Sequence, residues 1–406
     1  MSDSERRHVF IVGCGFPQLG LVRAARSLGY TVTGADLSPQ AIAVSELDYF
    51  IQASTGDVDQ ICSAFRMSGA NGIVTSGSEL ALSTTVVASK QLGLPFYVDP
   101  ETVVACRDKG LMRAAYRSCG LDVPEFERCT TVHEVEKFVK KVGLPVVIKP
   151  ADGWGQRGVS LVRTEDELCT AFEKAFSASV GELGAVVEEF IDGHEIAVDG
   201  WVEDGTLVSY CVTDSETFPG TSPLGVKRSE ISPSILDSAL VDKAIDVARA
   251  GCKGLGLNRG PCYTQLAVSP KRIVIFETAA RLGGGFDADV TRLSSGVDLF
   301  VRLLGIAFDD ADLERSGVRH PNTPALVRFI APVPGILEAV EGLDEVRKLE
   351  GVVDAAVYPR PGDVVEPLLY AAKRIGHILL TGATRQEAVD RAAAAEKLIR
   401  FVMRKQ

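Results

Sequence analysis

Long apolar runs, basic clusters and metal-ligand spacings are all absent from this sequence of 406 residues. No segment approaches the roughly 18 uninterrupted apolar residues of a membrane-spanning helix, so we expect no membrane span. Lysine and arginine form no run, and the formal charge is −11 at pH 7. Because nucleic acids are bound through clustered positive charge, we expect no nucleic-acid partner. A small polyanionic ligand is still compatible with the composition if a few basic residues converge.

Histidine is scarce, and cysteine lacks the spacings that mark metal or redox sites. The five histidines show no metal-ligand pattern, and the nine cysteines include no C-x-x-C pair. Such cysteines indicate reduced, mostly buried thiols. The first residues, MSDSERRHVFIVG, run from charge directly into an apolar strand, without the apolar segment of a signal peptide. We therefore expect a cytoplasmic protein.

What the sequence does contain is typical of a globular α/β protein. It is 46% hydrophobic and 24% charged, and its length favours two or three domains. Strand and helix patterns alternate through about residue 100, which predicts a parallel sheet with helices on both faces. The last strand predicted there is 94–98. Further along, the polar segment 213–233 is predicted to be an ordered loop with a role at the substrate, and a closing helix is predicted at 385–403.

The segment GLPVVIKPADGWGQRGV, residues 143–159, combines an apolar strand, Lys149 at its end and a glycine-rich loop. Its glycines are Gly153, Gly155 and Gly158. A glycine loop lets backbone N–H groups approach phosphate oxygens, and the lysine adds a point charge. The spacing is not that of a P-loop. Alone, the pattern also fits a plain hairpin.

A second glycine motif lies between the first two predicted strands. Gly13, Gly15 and Gly20 follow the first strand, and Asp36 ends the second. This arrangement resembles a dinucleotide fingerprint, but Gln18 stands where that fingerprint has its third glycine. Either a tight β–α turn or a dinucleotide site is compatible with it.

Two acidic patterns follow the glycine-rich loop. In VVEEFIDGHE, residues 186–195, an extended hinge offers backbone groups and carboxylates to a nucleoside, although an amphipathic strand with surface acids fits equally. A predicted hairpin turning near 269–272 places Gln265 almost opposite Glu277. Two such oxygens suit Mg²⁺, and Arg281 can fork onto an oxyanion. The alternative is a surface hairpin with an arginine salt bridge.

The motifs occur in one order: DKG at 108–110, the lysine–glycine segment, the acidic hinge, and QLAV with IFETAARLGGGFDADV between 265 and 290. This ordered set resembles the ATP-grasp superfamily of carboxylate–amine ligases, in the branch of L-amino acid ligases and biotin carboxylase. The resemblance extends over nearly the whole chain. It implies an α/β ATP-grasp fold with an N-terminal parallel α/β domain (1–107), a central ATP-grasp domain (108–319, with a flap subdomain at about 120–190) and a small C-terminal α+β domain (320–406).

The resemblance also implies the site residues and the ligands, ATP and Mg²⁺. The ATP site comprises Lys109 and Lys149 at the phosphates, Gly153, Gly155 and Gly158 in the flap, Glu188 with the backbone of Glu189, Phe190 and Ile191 at adenine, and Glu195 at ribose. Gln265 and Glu277 would hold Mg²⁺. Arg281, Lys149 and Glu277 would be the catalytic residues. Many members have asparagine at the place of Ala279, so the number of Mg²⁺ ions is left open.

The implied reaction joins a carboxylate to an amine through an acyl phosphate. We expect a small carboxylate, such as an amino acid, to bind Arg281 and the amides of Gly283, Gly284 and Gly285, with Lys227 and Arg228 closing over its far end. A purine-biosynthesis ligase and a biotin-carboxylase-like enzyme are the alternatives within the superfamily. Outside the superfamily, the alternative hypotheses are an NAD-dependent oxidoreductase and a non-catalytic ATP-binding protein. A homodimer is left open.

Overall fold

The computed structural model describes residues 7–152, 157–179, 183–219, 224–319 and 323–404. Its first part is a parallel four-stranded sheet in the order β3-β2-β1-β4, with helices packed on both faces. The elements are β1 (His8–Val12), α1 (Phe16–Ser27), β2 (Thr31–Asp36), β3 (Tyr49–Gln52), α2 (Val58–Ser68), β4 (Gly72–Val74), α3 (Glu79–Leu92) and α4 (Pro100–Arg107). Strand β1 is apolar because both faces of a parallel sheet are covered. The predicted parallel sheet is confirmed.

The second part is a small antiparallel sheet in the order β5-β8-β6-β7, covered by two helices. After α5 (Lys109–Ser118), its elements are β5 (Phe126–Cys129), α6 (Val132–Val142), β6 (Val146–Pro150), β7 (Ser160–Val162), α7 (Leu168–Ala178) and β8 (Ala185–Glu189). Val135, Phe138 and Phe172 of the helices pack on Ile148 and Val187 of the sheet. This core holds β6 and β8 side by side.

The third part is an eight-stranded sheet in the order β13-β12-β9-β10-β11-β14-β18-β16. Its elements to residue 314 are β9 (His194–Glu203), β10 (Thr206–Thr217), β11 (Lys227–Ser232), α8 (Ser238–Gly254), β12 (Gly260–Val268), β13 (Ile273–Ala279), α9 (Asp287–Ser295), α10 (Leu299–Ala307) and α11 (Ala311–Glu314). The remaining elements are β14 (Ala325–Ile330), β15 (Gly335–Glu341), α12 (Leu343–Val346), β16 (Val352–Val357), β17 (Val364–Val365), β18 (Gly376–Thr381), α13 (Arg385–Leu398) and β19 (Arg400–Arg404). Strands β17, β15 and β19 form a separate three-stranded sheet.

Three predicted elements are wrong. Residues 94–98 form no strand, and Pro95 there lacks the backbone donor that a sheet would use. Much of 213–233 is not a loop, because β10 continues to Thr217 and pairs with β11. The closing helix ends at Leu398, and the alternating residues after it pair as β19 with β15.

The predicted domain boundaries stay a prediction. Strands β14, β18 and β16 extend the same sheet as β9–β11, so the C-terminal strands are hydrogen-bonded to the central ones. The boundary near 320 falls among residues 320–322, outside the described part. Among the described residues, none of the helices combines the length and the apolar composition needed to cross a membrane.

Candidate active site

A cleft lies between the small sheet and the large sheet, and most of the predicted site residues line it. Its inner part is bounded by Lys149 of β6, the end of β8, Glu195 of β9 and Gln265 and Glu277. Its outer part continues past Gln265 and Glu277 to Lys109, Lys227, Arg281 and the glycines Gly284 and Gly285. Both parts include Lys149, Gln265 and Glu277, so the two form one continuous site.

Lys149 is held at the centre of this cleft by a buried carboxylate. Its Nζ lies 2.5 Å from Glu188 Oε2, because β6 and β8 are adjacent. Arg113 of α5 reaches the same carboxylate, with Nη2 2.8 Å from Glu188 Oε1. Arg113 also donates through Nη1 to the carbonyl of Phe276 in β13. One buried cluster therefore ties α5, the small sheet and the large sheet together.

The pKa values in this cluster follow from burial and charge. Burial lowers the pKa of Lys149 to about 8. The negative charge of Glu188 opposes this shift, whereas the positive charges of Arg113 and Lys109 add to it. Burial alone would raise the pKa of Glu188, but Arg113 and Lys149 lower it. Glu188 therefore stays ionised, and Lys149 is the group of the pair that titrates near neutral pH.

The hinge after β8 offers fewer backbone donors than predicted. The N–H of Glu189 donates to Glu125 at 2.8 Å and the N–H of Phe190 to Pro145 at 3.4 Å. Of the three hinge residues, Ile191 is the one whose N–H has no acceptor in the described part of the chain. Glu195 borders the same end of the cleft.

Gln265 and Glu277 are direct neighbours across the β12–β13 hairpin, as predicted. Their side chains face the cleft beside Lys149. An amide oxygen and a carboxylate oxygen suit Mg²⁺, which completes its shell with phosphates and water. The described residues contain no group of three or more histidine, cysteine or acidic side chains arranged to hold a metal. The donor set therefore fits an ion shared with a bound polyphosphate better than a closed protein site.

Arg281 is anchored by an acid of α3, in the N-terminal part of the fold. Its Nε lies 2.8 Å from Oε1 of Glu79, the first residue of α3, and its guanidinium lies over the ring of Tyr263, 5.7 Å from the centroid. Both the arginine and Glu79 line the outer cleft. The carboxylate orients the guanidinium and also competes with any substrate anion for it.

The triple glycine beside Arg281 is explained by close packing. A Cβ on Gly284 would lie 2.7 Å from the carbonyl oxygen of Gly77, and one on Gly283 would overlap the Asp287 carboxylate. Gly285 N–H already donates to Asp287 Oδ2 at 2.7 Å. Of the three glycine amides expected to bind the substrate carboxylate, that of Gly285 is therefore already bonded to Asp287.

Lys227 and Arg228 face opposite sides of β11, so they do not act together. Lys227 lines the cleft, where its Nζ pairs with Glu230 and lies 3.0 Å from the Tyr263 hydroxyl. Arg228 instead pairs with Glu396 of α13 at 2.7 Å. The pairing of β10 with β11 shifts register at Thr217 and Lys227, so the regular alternation of faces is interrupted there. Arg228 contacts α13 and not the cleft residues, and its binding of substrate stays a prediction.

The remaining predicted phosphate contacts are placed in part. Lys109 is buried at the start of α5 and lines the outer cleft. Gly158 has φ +76°, where a side chain would be strained. Gly153 and Gly155 lie outside the described residues.

The glycine turn after β1 is closed by its own side chains. Gln18 Oε1 accepts from the N–H of Gly15 at 3.0 Å, and its Nε2 donates to Ser76. Asp36 Oδ2 accepts from the N–H of Cys14 at 2.8 Å. These bonds occupy the groups that a dinucleotide would need. The motif is therefore a structural turn.

A cleft between two antiparallel sheets, with a lysine on one and a metal-ligand pair on the other, defines the ATP-grasp class of proteins. A family model described as carbamoyl-phosphate synthase L chain, ATP binding domain, matches residues 108–314. The chain belongs to that family, and so to the ATP-grasp superfamily of ATP-dependent carboxylate–amine ligases. The expected superfamily, fold class and enzyme class are confirmed.

Further similarities concern the C-terminal part and the whole chain. A model described as L-amino acid ligase C-terminal domain 2 matches residues 328–404. An uncharacterized protein of Sinorhizobium fredii is 28% identical over 360 residues, covering 87% of this chain and 72% of that protein. Alanine–anticapsin ligase of Bacillus subtilis is 27% identical over 63% of this chain, which spans 58% of that ligase. The L-amino acid ligase from Bacillus licheniformis has the same fold, with a TM-score of 0.83 at 22% identity over 98% of this chain and 99% of that one.

Sequence reasoning missed Arg113, Glu79 and Arg374, all of which border or support the cleft. Arg113 gives one usable signal, because it lies between the buried residues Met112 and Tyr116 on the inner face of α5. A cation on an apolar helix face indicates a buried acidic partner. Glu79 and Arg374 give no such signal, since neither stands on an apolar stripe that the sequence reveals.

Proposed function

We propose that this protein uses ATP to activate a small carboxylate, such as an amino acid, and transfers the acyl group to an amine. The observation that supports this best is the pairing of Gln265 with Glu277 beside Lys149 and next to Arg281. A nucleotide site alone would not need the further cations of the outer cleft, Arg281 and Lys227. An amide is the expected product.

In the first step, the substrate carboxylate attacks the γ-phosphorus of ATP and ADP leaves with the electron pair of the broken P–O bond. Lys149 neutralises charge on the phosphates, and Arg281 orients the transferred phosphoryl group and the attacking carboxylate. Glu188 and Arg113 hold Lys149 in place. Gln265 and Glu277 would hold Mg²⁺, which supplies positive charge to the phosphate oxygens.

In the second step, the amine nitrogen attacks the carbonyl carbon of the acyl phosphate. A C–N bond forms, and the bond between the carbonyl carbon and the oxygen that bridges to phosphorus breaks. Phosphate leaves with the electron pair of that bond. The ammonium group loses two protons, of which one ends on the phosphate and one passes to solvent. The residues around the cleft align the two substrates and keep water away.

The amino-acid branch is favoured by the C-terminal match. Residues 328–404 resemble a domain named for L-amino acid ligases, and alanine–anticapsin ligase is among the similar proteins. The same segment adds strands to the central sheet and borders the outer cleft, where the substrates would lie.

Nucleotide-dependent stabilisation and ADP release test the proposal. MgADP at 100 times its Kd should add about 2.7 kcal/mol to the free energy of unfolding, whereas NAD should add nothing. A carboxylate and an amine together should then stimulate ADP release from ATP. Release driven by bicarbonate alone, or no release with any carboxylate despite MgADP binding, would contradict the proposal.

A further inference from the structure

Tyr263 stands on the cleft face of β12, two residues before Gln265 in a regular stretch of the strand. It lines the outer part of the cleft, whereas Gln265 lines both parts. Two residues of a strand span about 6.8 Å and point to the same face. Tyr263 therefore lies on the substrate side of the metal-ligand pair, where the acyl group would lie when its phosphoryl group is at Gln265 and Glu277.

The hydroxyl of Tyr263 has a hydrogen that is free to be donated. Within the described residues its one hydrogen-bond partner is Lys227, whose Nζ lies 3.0 Å from the hydroxyl oxygen. Lys227 also pairs with Glu230, and an ammonium group can only donate. The phenol oxygen therefore accepts from Lys227, and the phenol hydrogen is left for an acceptor in the cleft.

The surroundings of the ring keep this hydroxyl protonated and strengthen it as a donor. Burial raises the pKa of the Tyr263 hydroxyl well above its usual value, and the charges of Asp287 and Asp199 raise it further, against Arg281. The hydroxyl can therefore donate a hydrogen bond at neutral pH but cannot serve as a base. Lys227 Nζ and Arg281 Cζ each lie 5.7 Å from the ring centroid, and their positive charges polarise the O–H bond.

We infer that Tyr263 is a catalytic residue of the second step, in which its hydroxyl donates a hydrogen bond to the carbonyl oxygen of the acyl phosphate as the amine attacks. The inference rests on the proposed ligase function and deepens it. When the amine nitrogen bonds to the carbonyl carbon, the second electron pair of the C=O bond moves to the oxygen, which becomes an oxyanion. That pair re-forms the C=O bond when phosphate leaves with the electrons of the broken C–O bond. Tyr263 keeps its proton throughout, and the protons of the amine pass to phosphate and solvent.

The two steps place different demands on the cleft. In the first step, negative charge spreads over the phosphoryl oxygens, which lie beside Lys149 and the metal-ligand pair. In the second step, charge develops on the carbonyl oxygen, where a donor that is already fixed is most effective. Loss of the Tyr263 hydroxyl should therefore slow the second step and spare the first.

The test separates the two steps in one rapid-quench experiment. The enzyme is mixed with MgATP and L-alanine, or with the protein amino acid that the wild type activates best if alanine is not activated. Hydroxylamine is the amine probe, at a concentration at which its reaction with free acetyl phosphate is slower than hydroxamate formation by the wild type. ADP reports the first step, and hydroxamate reports the second.

In Tyr263→Phe, hydroxamate formation should fall about 100-fold or more, as when one oxyanion donor is removed. The first turnover of ADP should stay within about threefold of wild type, so that ADP runs ahead of hydroxamate by one equivalent per site. Tyr210→Phe is the control, because it removes a hydroxyl that donates to Glu203, and it should change neither rate. Stabilisation by MgADP should be kept in both variants, which shows that they fold.

Tyr263→His distinguishes donation from packing. Imidazole keeps an N–H donor but fills the space of the phenol ring less well than phenylalanine does. A donor role predicts faster hydroxamate formation in the histidine variant than in the phenylalanine variant, whereas a packing role predicts the reverse order. If the phenylalanine variant does not fold, the histidine variant should still lose more in hydroxamate formation than in ADP formation.

Three results would overturn the inference alone: hydroxamate formation within about threefold of wild type in Tyr263→Phe, equal losses in the two steps, or a histidine variant slower than the phenylalanine variant. In each of these cases the wild type would still form ADP with the carboxylate. Absence of carboxylate-dependent ADP formation in the wild type would instead reject the proposed function, and the inference with it.

Discussion

At the scale of single residues, Lys149 is the cation of the cleft whose pKa lies near 8. It lies against an ionised acid, yet burial outweighs that attraction and lowers its pKa to about 8. The ammonium form, which attracts phosphate, is therefore present below pH 8 and lost above it. Nucleotide affinity should follow this ionisation.

We predict that ATP affinity, measured by calorimetry without other substrates, falls about tenfold between pH 7.5 and 9.5, because one charge-assisted contact contributes roughly 1.5–3 kcal/mol. Lys149→Arg, which cannot lose its proton, should bind ATP more weakly but with a flat pH dependence over this range. The same pH-dependent fall in both proteins would show that another group titrates.

We also predict that Glu277→Ala lowers turnover on the order of 10³-fold while the fold is kept, as for other fixed groups that stabilise developing charge. Circular dichroism and ADP release measure the two effects. Glu338→Ala, at an exposed position of β15, is the matched control and should leave turnover unchanged. Turnover of Glu277→Ala within tenfold of wild type would remove this carboxylate from the metal site.

The sequence predicted the residues that are close to one another along a hairpin or at a strand end. Gln265 and Glu277 could be paired because the turn between them was recognisable, and the register agrees. Glu79 could not be assigned to Arg281, because one begins α3, the other follows β13, and they are about 200 positions apart. Contacts of this kind depend on the packing of domains, which local patterns do not encode.

At the scale of elements, the β10–β11 hairpin shows why the polar segment 213–233 was taken for a loop. Its strands are polar because one face lines the cleft and the other faces α13, so neither face is mainly apolar. Thr213 and Ser215 both donate to Glu230, which is fully buried. Internal hydrogen bonds thus replace the apolar alternation that usually marks a strand.

The opposite orientation of consecutive residues in β11 gives a matched pair of variants. Lys227→Ala should lower kcat/KM for the carboxylate substrate by about tenfold or more, because a cation in the cleft is lost and buried Glu230 loses its partner. Arg228→Ala should change kcat/KM by less than about twofold and cost only about 0–1 kcal/mol, as for a partly exposed ion pair. Steady-state kinetics and thermal unfolding measure both. Equal kinetic losses in the two variants would contradict the assignment of faces.

At the scale of the whole molecule, the N-terminal part of the fold contributes residues to the candidate site. Its glycine turn is closed internally, while Glu79 and Gly77 reach the substrate end of the cleft. The parallel sheet was predictable from its β–α alternation, but its role was not, because it depends on the approach of Gly77 to Gly284. The close contact of these two backbones sets how near the N-terminal part lies to Arg281.

This contact gives the last prediction. In Gly284→Ala the new Cβ would lie 2.7 Å from the carbonyl oxygen of Gly77, so the backbones must separate. Arg281, three residues away, would shift relative to Lys149, and a misplacement of about 1 Å costs about 100-fold in rate. We therefore expect a fall of about 100-fold in ADP release with MgADP stabilisation retained, because the nucleotide end of the cleft lies elsewhere. Gly56→Ala is the control, since its Cβ would meet only the flexible end of Leu80. Full turnover in Gly284→Ala would show that the packing of the first sheet does not position the arginine.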